Sequence, residues 1–174
     1  MQAIHSISRY EEPTTTLKNN KGPDFLLEFA SAKHTGYIKS VTAYIEEAAK
    51  VKGTGIAKRS PGYIREKMLE EKAIIALQGT TFAGFCYIES WGHERFVANS
   101  GLIVARQFRG LGLAKAIKRK AFALSRKKFP HAKLFGLTTN LAVMRINSSL
   151  GYVPVTFSEL TDDAAFWEGC AGCA

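Results

Sequence analysis

Cysteine is scarce in this chain, with three in 174 residues. An odd number without a secretion signal does not make a disulfide framework. Cys86 lies inside an apolar run and reads as core. Cys170 and Cys173 form a single Cys-x-x-Cys. A structural zinc site needs about four ligands, no second pair exists, and His93 and His131 stand at no ligand spacing from it. The pair therefore reads as ordinary thiols in a turn, with a redox couple or an intermolecular metal site as alternatives, and no metal is expected. Long hydrophobic runs are missing too. None approaches the ~20 residues that span a bilayer, and the opening Met1-Gln2-Ala3-Ile4-His5-Ser6 holds no apolar core of signal-peptide length. The expectation is a cytoplasmic protein with no membrane partner.

The third absence is of charge of one sign. No Asp or Glu occurs from Arg95 through Ser158, and all 15 acidic residues lie elsewhere. The same stretch holds Arg95, Arg106, Arg109, Lys115, Lys118, Arg119, Lys120, Arg126, Lys127, Lys128, Lys133 and Arg145, half of the 24 basic residues in a chain of net charge +9. Such a field attracts polyanions: nucleic acid, an anionic membrane, or a multiply phosphorylated small molecule. A solvated basic helix face is the plain alternative. The helix-turn-helix, zinc-finger and aromatic RNA-platform signatures are all lacking, so no nucleic-acid partner is expected.

What is present is enough apolar material for one core. Hydrophobic residues make up 46% of the chain, and the length suits one domain. Residues 1–22 are polar and read as a tail, which leaves 23–174 as a single domain. Phe25-Leu26-Leu27-Glu28-Phe29-Ala30 reads as the first strand. Ile38, Val41, Ile45 and Ala48 recur at helical spacing and predict a helix over about 36–49. Lys52-Gly53-Thr54-Gly55 reads as a loop. Ser60-Pro61 is a helix start, with Ser as N-cap and Pro at the first helical position, and Ile64, Met68 and Leu69 mark its inner face. Residues 73–77, 81–89 and 96–104 read as three strands, the first two joined by Gln78-Gly79-Thr80. A helix follows from Gly110 to about Phe129, stopped by Pro130. Leu113, Ile117, Ala121 and Leu124 share one face of it, and Lys115, Lys118, Arg119 and Arg126 lie away from that face. Residues 133–139 read as a buried strand, and 141–150 as a short helix with Gly151 just past its end. Tyr152-Val153-Pro154-Val155 reads as the start of a final strand. The fold class is α+β, a mostly antiparallel sheet flanked by helices with one βαβ unit.

The segment that carries chemistry is Gly101-Leu102-Ile103-Val104-Ala105-Arg106-Gln107-Phe108-Arg109-Gly110-Leu111-Gly112-Leu113-Ala114. A strand runs into a basic turn and then a Gly-x-Gly helix start. Backbone N–H groups at a helix N-terminus lack intrahelical partners, and the macrodipole adds about half a positive charge. That combination binds phosphate. Gly110 and Gly112 let the backbone approach a pyrophosphate, and Arg109 adds a permanent charge. The third glycine of a dinucleotide fingerprint is missing, with Lys115 in its place, and no Gly-Lys-Ser/Thr of a Walker loop follows.

Gln107 through Ala114 resembles the Gln/Arg-x-x-Gly-x-Gly/Ala signature of GCN5-related N-acetyltransferases (GNAT). Asn140 through Tyr152 is similar to the family's second motif, where an Asn and a Gly-Phe/Tyr bracket a short helix. The resemblance covers the chain from residue 25 onward and implies that fold, with acetyl-CoA or another acyl-CoA as cosubstrate. It implies that Ile103 and Val104 pair by backbone with the pantetheine amides. Arg109, Gly110, Leu111, Gly112, Leu113 and Ala114 would hold the pyrophosphate. Asn140 and Asn147 would line the CoA side, across a splay between the strands carrying Ile103 and Phe135. In one respect the chain departs from the family: many members carry a Tyr four residues before the second-motif glycine to protonate the leaving thiolate, and that position is Asn147 here.

The reaction class implied is attack of an amine on a thioester. The amine must lose a proton, so a base or a water relay helps. Glu89, ending an apolar strand where the sheet should open, is the candidate. The competing reading is the first solvated residue after that strand. Lys133 through Thr139 resembles a strand of bacterial N-acetylglutamate synthase acetyltransferase domains. Residues 53–61 and 157–170 look like stand-alone acyltransferases of arginine biosynthesis in Bacteroidetes-type bacteria. That resemblance implies an amino-acid acceptor such as glutamate, with Lys58 and Arg59 holding its carboxylate and Thr138 beside it. The alternatives are a peptide, lysine or polyamine acceptor, or a CoA sensor. The partner expected is a small-molecule amine, on a monomer or homodimer.

Overall fold

The structure is a computed structural model that describes residues 13–20, 22–51, 56–138 and 140–156, with positions 159, 164, 167 and 168. Six strands lie in sequence order across one sheet: β1 (Thr14–Leu17), β2 (Phe25–Phe29), β3 (Ala73–Gln78), β4 (Thr81–Trp91), β5 (Phe96–Val104) and β6 (Lys133–Phe135). Neighbours are antiparallel except β5 and β6, which are parallel. The parallel pair needs a crossover, and α3 (Leu113–Lys128) supplies it. Between β2 and β3 the chain forms a 3-10 turn (Ala32–Tyr37), α1 (Ile38–Ala49) and α2 (Pro61–Leu69). A last helix, α4 (Leu141–Ser149), follows β6.

The sheet buries both faces, which is why β3 and β4 are nearly continuous apolar runs. Cys86 and Ile88 turn toward α3 with Leu113, Ile117, Ala121 and Leu124. Phe85 and Tyr87 turn toward α1 and α2 with Val41, Ile45, Ile64 and Met68. Full burial of each large side chain among these is worth roughly 1.5–3 kcal/mol. Ser60 caps α2, its hydroxyl accepting from the Tyr63 N–H at 3.2 Å.

Five expectations are corrected. Within the supposed tail, Thr14–Leu17 form an edge strand on β2, from Thr14↔Glu28 to Leu17↔Phe25. Its threonines favour extended backbone, but an exposed edge strand shows no apolar alternation. Leu69 is 53% exposed and not on the inner face of α2. The strand expected over 133–139 stops at Phe135. Residues 152–156 form no strand; the Tyr152 N–H instead bonds the Asn147 carbonyl at the end of α4, at 3.1 Å. Lys118 is buried at 2% exposure, against the solvated position its helical register suggested. Its neighbour Lys120, at 1%, donates to Thr15 Oγ1 at 2.7 Å. The Lys52–Gly55 loop and the Cys170–Cys173 pair lie outside the described residues.

Candidate functional site

The sheet opens where β6 ends. Pairing runs Phe96↔Lys133, Val97↔Leu134 and Ala98↔Phe135 and then stops, while β5 continues to Val104. An unpaired strand edge is a row of donors and acceptors for an extended amide chain. Alternation along the strand decides which residues serve it. The Ala105 N–H bonds Ala83 O on the β4 side at 2.9 Å, so the polar groups of Val104 face the opening. The Val104 carbonyl there accepts from Arg109 Nε at 3.2 Å. Ile103 points the other way. Its carbonyl lies 3.0 Å from where a Cβ would stand on Gly84 in β4, and its side chain is core.

At the far end of this edge the chain makes a short 3-10 turn, Arg106–Phe108, and then the glycine loop. Gly110 and Gly112 have φ of 80° and 78°, and a Cβ on either would meet nothing within 4 Å. Backbone conformation, not crowding, selects glycine at both, and the ground beside them is open. Gly112 is the N-cap of α3. The first intrahelical bond is Ala116 N–H to Gly112 O, which leaves the N–H groups of Leu113, Ala114 and Lys115 for another acceptor. No acid lies in that turn. Leu111 is tied from outside, its carbonyl accepting from Asn19 Nδ2 at 3.1 Å.

One strand away from the closed end of the opening stands Glu89. It pairs with Ala98, the last residue of β5 that is paired with β6. Its side chain is 23% exposed and accepts from Lys67 Nζ at 2.9 Å and from the Tyr63 hydroxyl. A carboxylate has about four acceptor positions, so a further proton-bearing group can still bind. Burial, then Tyr87, then Glu89 push the Tyr63 hydroxyl far above its ordinary range, and Tyr63 stays protonated as a donor. Arg59 Nε donates to the Tyr87 hydroxyl at 2.9 Å, and its guanidinium lies 5.2 Å from the Tyr63 ring centroid. Arg59 and Glu89 thus belong to one cluster. Tyr63, Lys67 and Tyr87 were missed in the sequence. The signals were available: Tyr63 and Lys67 are four apart on one helix face, and Tyr87 shares a strand face with Glu89.

The remaining sequence-picked residues divide. Lys58 is exposed, and its carbonyl accepts from Arg59 Nη1. Asn140 is the N-cap of α4, its Oδ1 accepting from Ala142 and Val143 N–H at 2.9 and 3.3 Å. Thr138 supports that cap, its hydroxyl accepting from the Asn140 N–H at 3.1 Å. Asn147 is buried on the side of α4 facing α3, with Nδ2 3.2 Å from the Cβ position of Gly136.

The family model described as acetyltransferase (GNAT) family matches residues 42–152. The chain belongs to the GNAT acetyltransferase family. Its match takes in Glu89, the glycine loop and α4, and leaves out β1 and β2. Among solved structures, the chain resembles the Rv2747 protein of Mycobacterium tuberculosis in complex with CoA, at TM-score 0.63 and 12% identity over 83% of this chain and 80% of that one. It also resembles N-acetylglutamate synthase of Neisseria gonorrhoeae, complexed with coenzyme A and N-acetyl-glutamate, at TM-score 0.65 and 15% identity. That match covers 87% of this chain but 34% of the synthase. Diaminobutyrate acetyltransferase of Paenibacillus lautus matches at TM-score 0.58 and 16% identity, over 74% of this chain and 75% of that one. No curated protein matches in sequence. Among the described residues, no helix is long and apolar enough to cross a membrane, and no group of three or more His, Cys, Asp or Glu could hold a metal.

Proposed function

We propose that this GNAT member transfers an acyl group, acetyl or succinyl, from an acyl-CoA to the amine of a small metabolite. An amino acid is the acceptor favoured, with glutamate first and arginine biosynthesis the setting. The observation that carries the reading is the alignment of three parts along one line. The open edge of β5 takes the pantetheine through Val104, the N–H groups at the Gly110–Ala114 turn take the pyrophosphate with Arg109 beside them, and Glu89 stands by the closed end.

In this reading the protein works mainly by holding the thioester against the amine. Positioning two reactants removes a large entropic part of the barrier. Glu89 accepts the proton that the amine sheds, directly or through one water, while Lys67 and Tyr63 hold the carboxylate in place. Arg59 is held by Tyr87 and Tyr63 beside Glu89 and supplies the positive charge that an acceptor carboxylate would meet there. Lys58, solvated and exposed, is the weaker of the pair expected to do so. Asn140 caps α4 through its Oδ1.

The test is release of CoA thiol from acetyl-CoA and succinyl-CoA, each against an amino-acid panel that includes glutamate and ornithine. Rapid release with glutamate supports the reading, and the faster donor identifies the acyl group. Measurable CoA binding without release on any amino acid would shift the acceptor to a peptide or polyamine, or leave a CoA sensor.

A further inference from the structure

Behind the closed end of the opening, on the α3 side of the sheet, sits a buried cation with no anion. Lys118 is 2% exposed, and no carboxylate among the described residues forms an ion pair with it; its ammonium lies 5.7 Å from the Tyr152 ring centroid. Burial, which Cys86 only partly offsets, makes that ammonium more acidic than an ordinary lysine. The Nζ stands 3.6 Å from the Cβ position of Gly136. Gly136 directly follows Phe135, where β5–β6 pairing ends. Glu89 reaches the same level of the sheet from the other face, through Glu89↔Ala98 and Ala98↔Phe135.

A second observation marks the same spot. Asn147 is 7% exposed, borders the same Gly136, and its Oδ1 is buried with no hydrogen-bond partner among the described residues. A buried unpaired acceptor and a buried unpaired ammonium at one place each carry a desolvation cost of a few kcal/mol. A bound polar group that accepts from Lys118 and donates to Asn147 relieves both. An exchange of O and N in the Asn147 amide would serve the asparagine alone and still leave the ammonium without a counter-charge.

We infer that Lys118 is the acid that meets the leaving sulfur, which rests on the acyl-CoA reading above. The amine nitrogen forms its bond to the thioester carbon and gives its proton to Glu89. The carbon–sulfur bond breaks, its electron pair stays on sulfur, and the thiolate takes a proton from Lys118 Nζ to leave as CoA thiol. Lys118 is then neutral and is reprotonated from solvent. The other titratable groups around it do not compete. Burial pushes the Cys86 thiol up to about 11 and the Tyr152 hydroxyl above its ordinary range. Tyr152 also commits its proton to Asn99 Oδ1 at 2.7 Å. Asn99 in turn donates to Ser125 Oγ, and Arg126, near Tyr152, donates to the Ala132 carbonyl. This accounts for catalysis in a chain whose α4 carries Asn147 where a tyrosine would otherwise supply the proton.

The experiment titrates the thiol of bound CoA by its thiolate absorbance, in the wild type and in Lys118→Met, a substitution close in length that needs no counter-charge. An opposite charge within about 4–6 Å favours the ionised form by 1–3 pKa units. The wild type should therefore raise the thiolate fraction of bound CoA at neutral pH at least about tenfold over free CoA, and Lys118→Met should lose that gain while binding CoA within about threefold. In turnover, Lys118→Met should lower kcat on the order of 10²-fold and lose the alkaline limb on which kcat falls as Lys118 deprotonates. CoA that binds the wild type with a thiol titrating as in solution overturns the inference and leaves the acyltransferase reading standing; this arm needs no variant to fold. Wild-type protein that binds no CoA overturns the acyltransferase reading, and the inference falls with it.

Discussion

The most exacting perturbation of the site is a single methyl group on Gly101. β5 bulges here: the register with β4 shifts between Phe85 and Tyr87, and Gly101 has φ of 61°. A Cβ at this position would lie 2.3 Å from Cε1 and 2.8 Å from Cδ1 of Tyr87, inside any contact that real carbons make. Two costs add. A residue with a Cβ loses about 1–2 kcal/mol in the left-handed region, and forcing a packed ring aside costs roughly 1–3 kcal/mol. A central value of about 3 kcal/mol lowers Tm by roughly 6–12 °C in a domain of this size. Function should suffer beyond stability, because the Tyr87 ring holds Arg59 through its hydroxyl and packs edge-on against Tyr63 at 5.5 Å, which in turn bonds Glu89. The assay is thermal melting of Gly101→Ala followed by turnover well below its Tm. Gly36→Ala is the control, since a Cβ there meets nothing within 4 Å. If Gly101→Ala melts within about 1 °C of the wild type, the bulge is not built around this glycine and the reasoning fails.

Gly112→Asp places a carboxylate at the helix start, where the macrodipole favours it but the left-handed backbone (φ 78°) opposes a Cβ by about 1–2 kcal/mol, and against the proposed pyrophosphate the like charges cost several kcal/mol. CoA affinity, measured well below a Tm that the backbone strain lowers by roughly 2–8 °C, should fall at least about a hundredfold; retained micromolar binding, read by calorimetry, refutes the assignment. Glu89→Gln should lower kcat by about 10²–10⁴-fold with CoA affinity within about threefold, and unchanged turnover removes Glu89 as base. Glu28 gives a pH dependence. Burial acts to raise its pKa, but hydrogen bonds from Lys33, His34 and Thr14 prevail and hold it below its ordinary value near 4.5. A depressed folded-state pKa lends stability that is complete above about pH 4.5 and is lost as pH falls through the folded value. Glu28→Gln should therefore lose stability at neutral pH and flatten the acid limb of a Tm-against-pH curve; an unchanged limb would place the acid sensitivity elsewhere.

What the sequence yielded follows from which signals are local. The Ser60 cap, the glycine loop with its helix start, the turn at Gln78–Thr80 and the face of α3 bearing Leu113, Ile117, Ala121 and Leu124 are each set within a few residues. β1 was illegible because an exposed edge strand has no periodicity to betray it. Lys118 was misplaced for a related reason: helical register puts it on a flank, and only β6 and α4, brought in from later in the chain, close over that flank. Glu89 was legible as the carboxylate that closes the apolar run of β4, although the strand itself continues to Trp91. Its partners Tyr63 and Lys67 come from α2, a contact that no spacing rule between residues 63 and 89 supplies.

The acid-free stretch, met first as one basic field, resolves into three separate uses of positive charge. Arg109 stands with the free N–H groups of α3 at the loop. Lys115, Arg119, Lys127 and Lys128 are solvated. Lys118 and Lys120 are buried; Lys120 donates to Thr15 Oγ1, and among the described residues no carboxylate forms an ion pair with Lys118. Lys67 makes the contrast clear, for it is as deeply buried yet sits 2.9 Å from Glu89 and 3.8 Å from Glu66. A carboxylate near Lys118 would repay its desolvation in the same way, but it would also neutralise the charge that a thiolate needs to find there. On the proposed chemistry, the lack of Asp and Glu from Arg95 to Ser158 is therefore as much a condition of the proton transfer behind the sheet as of the proposed phosphate binding at its edge.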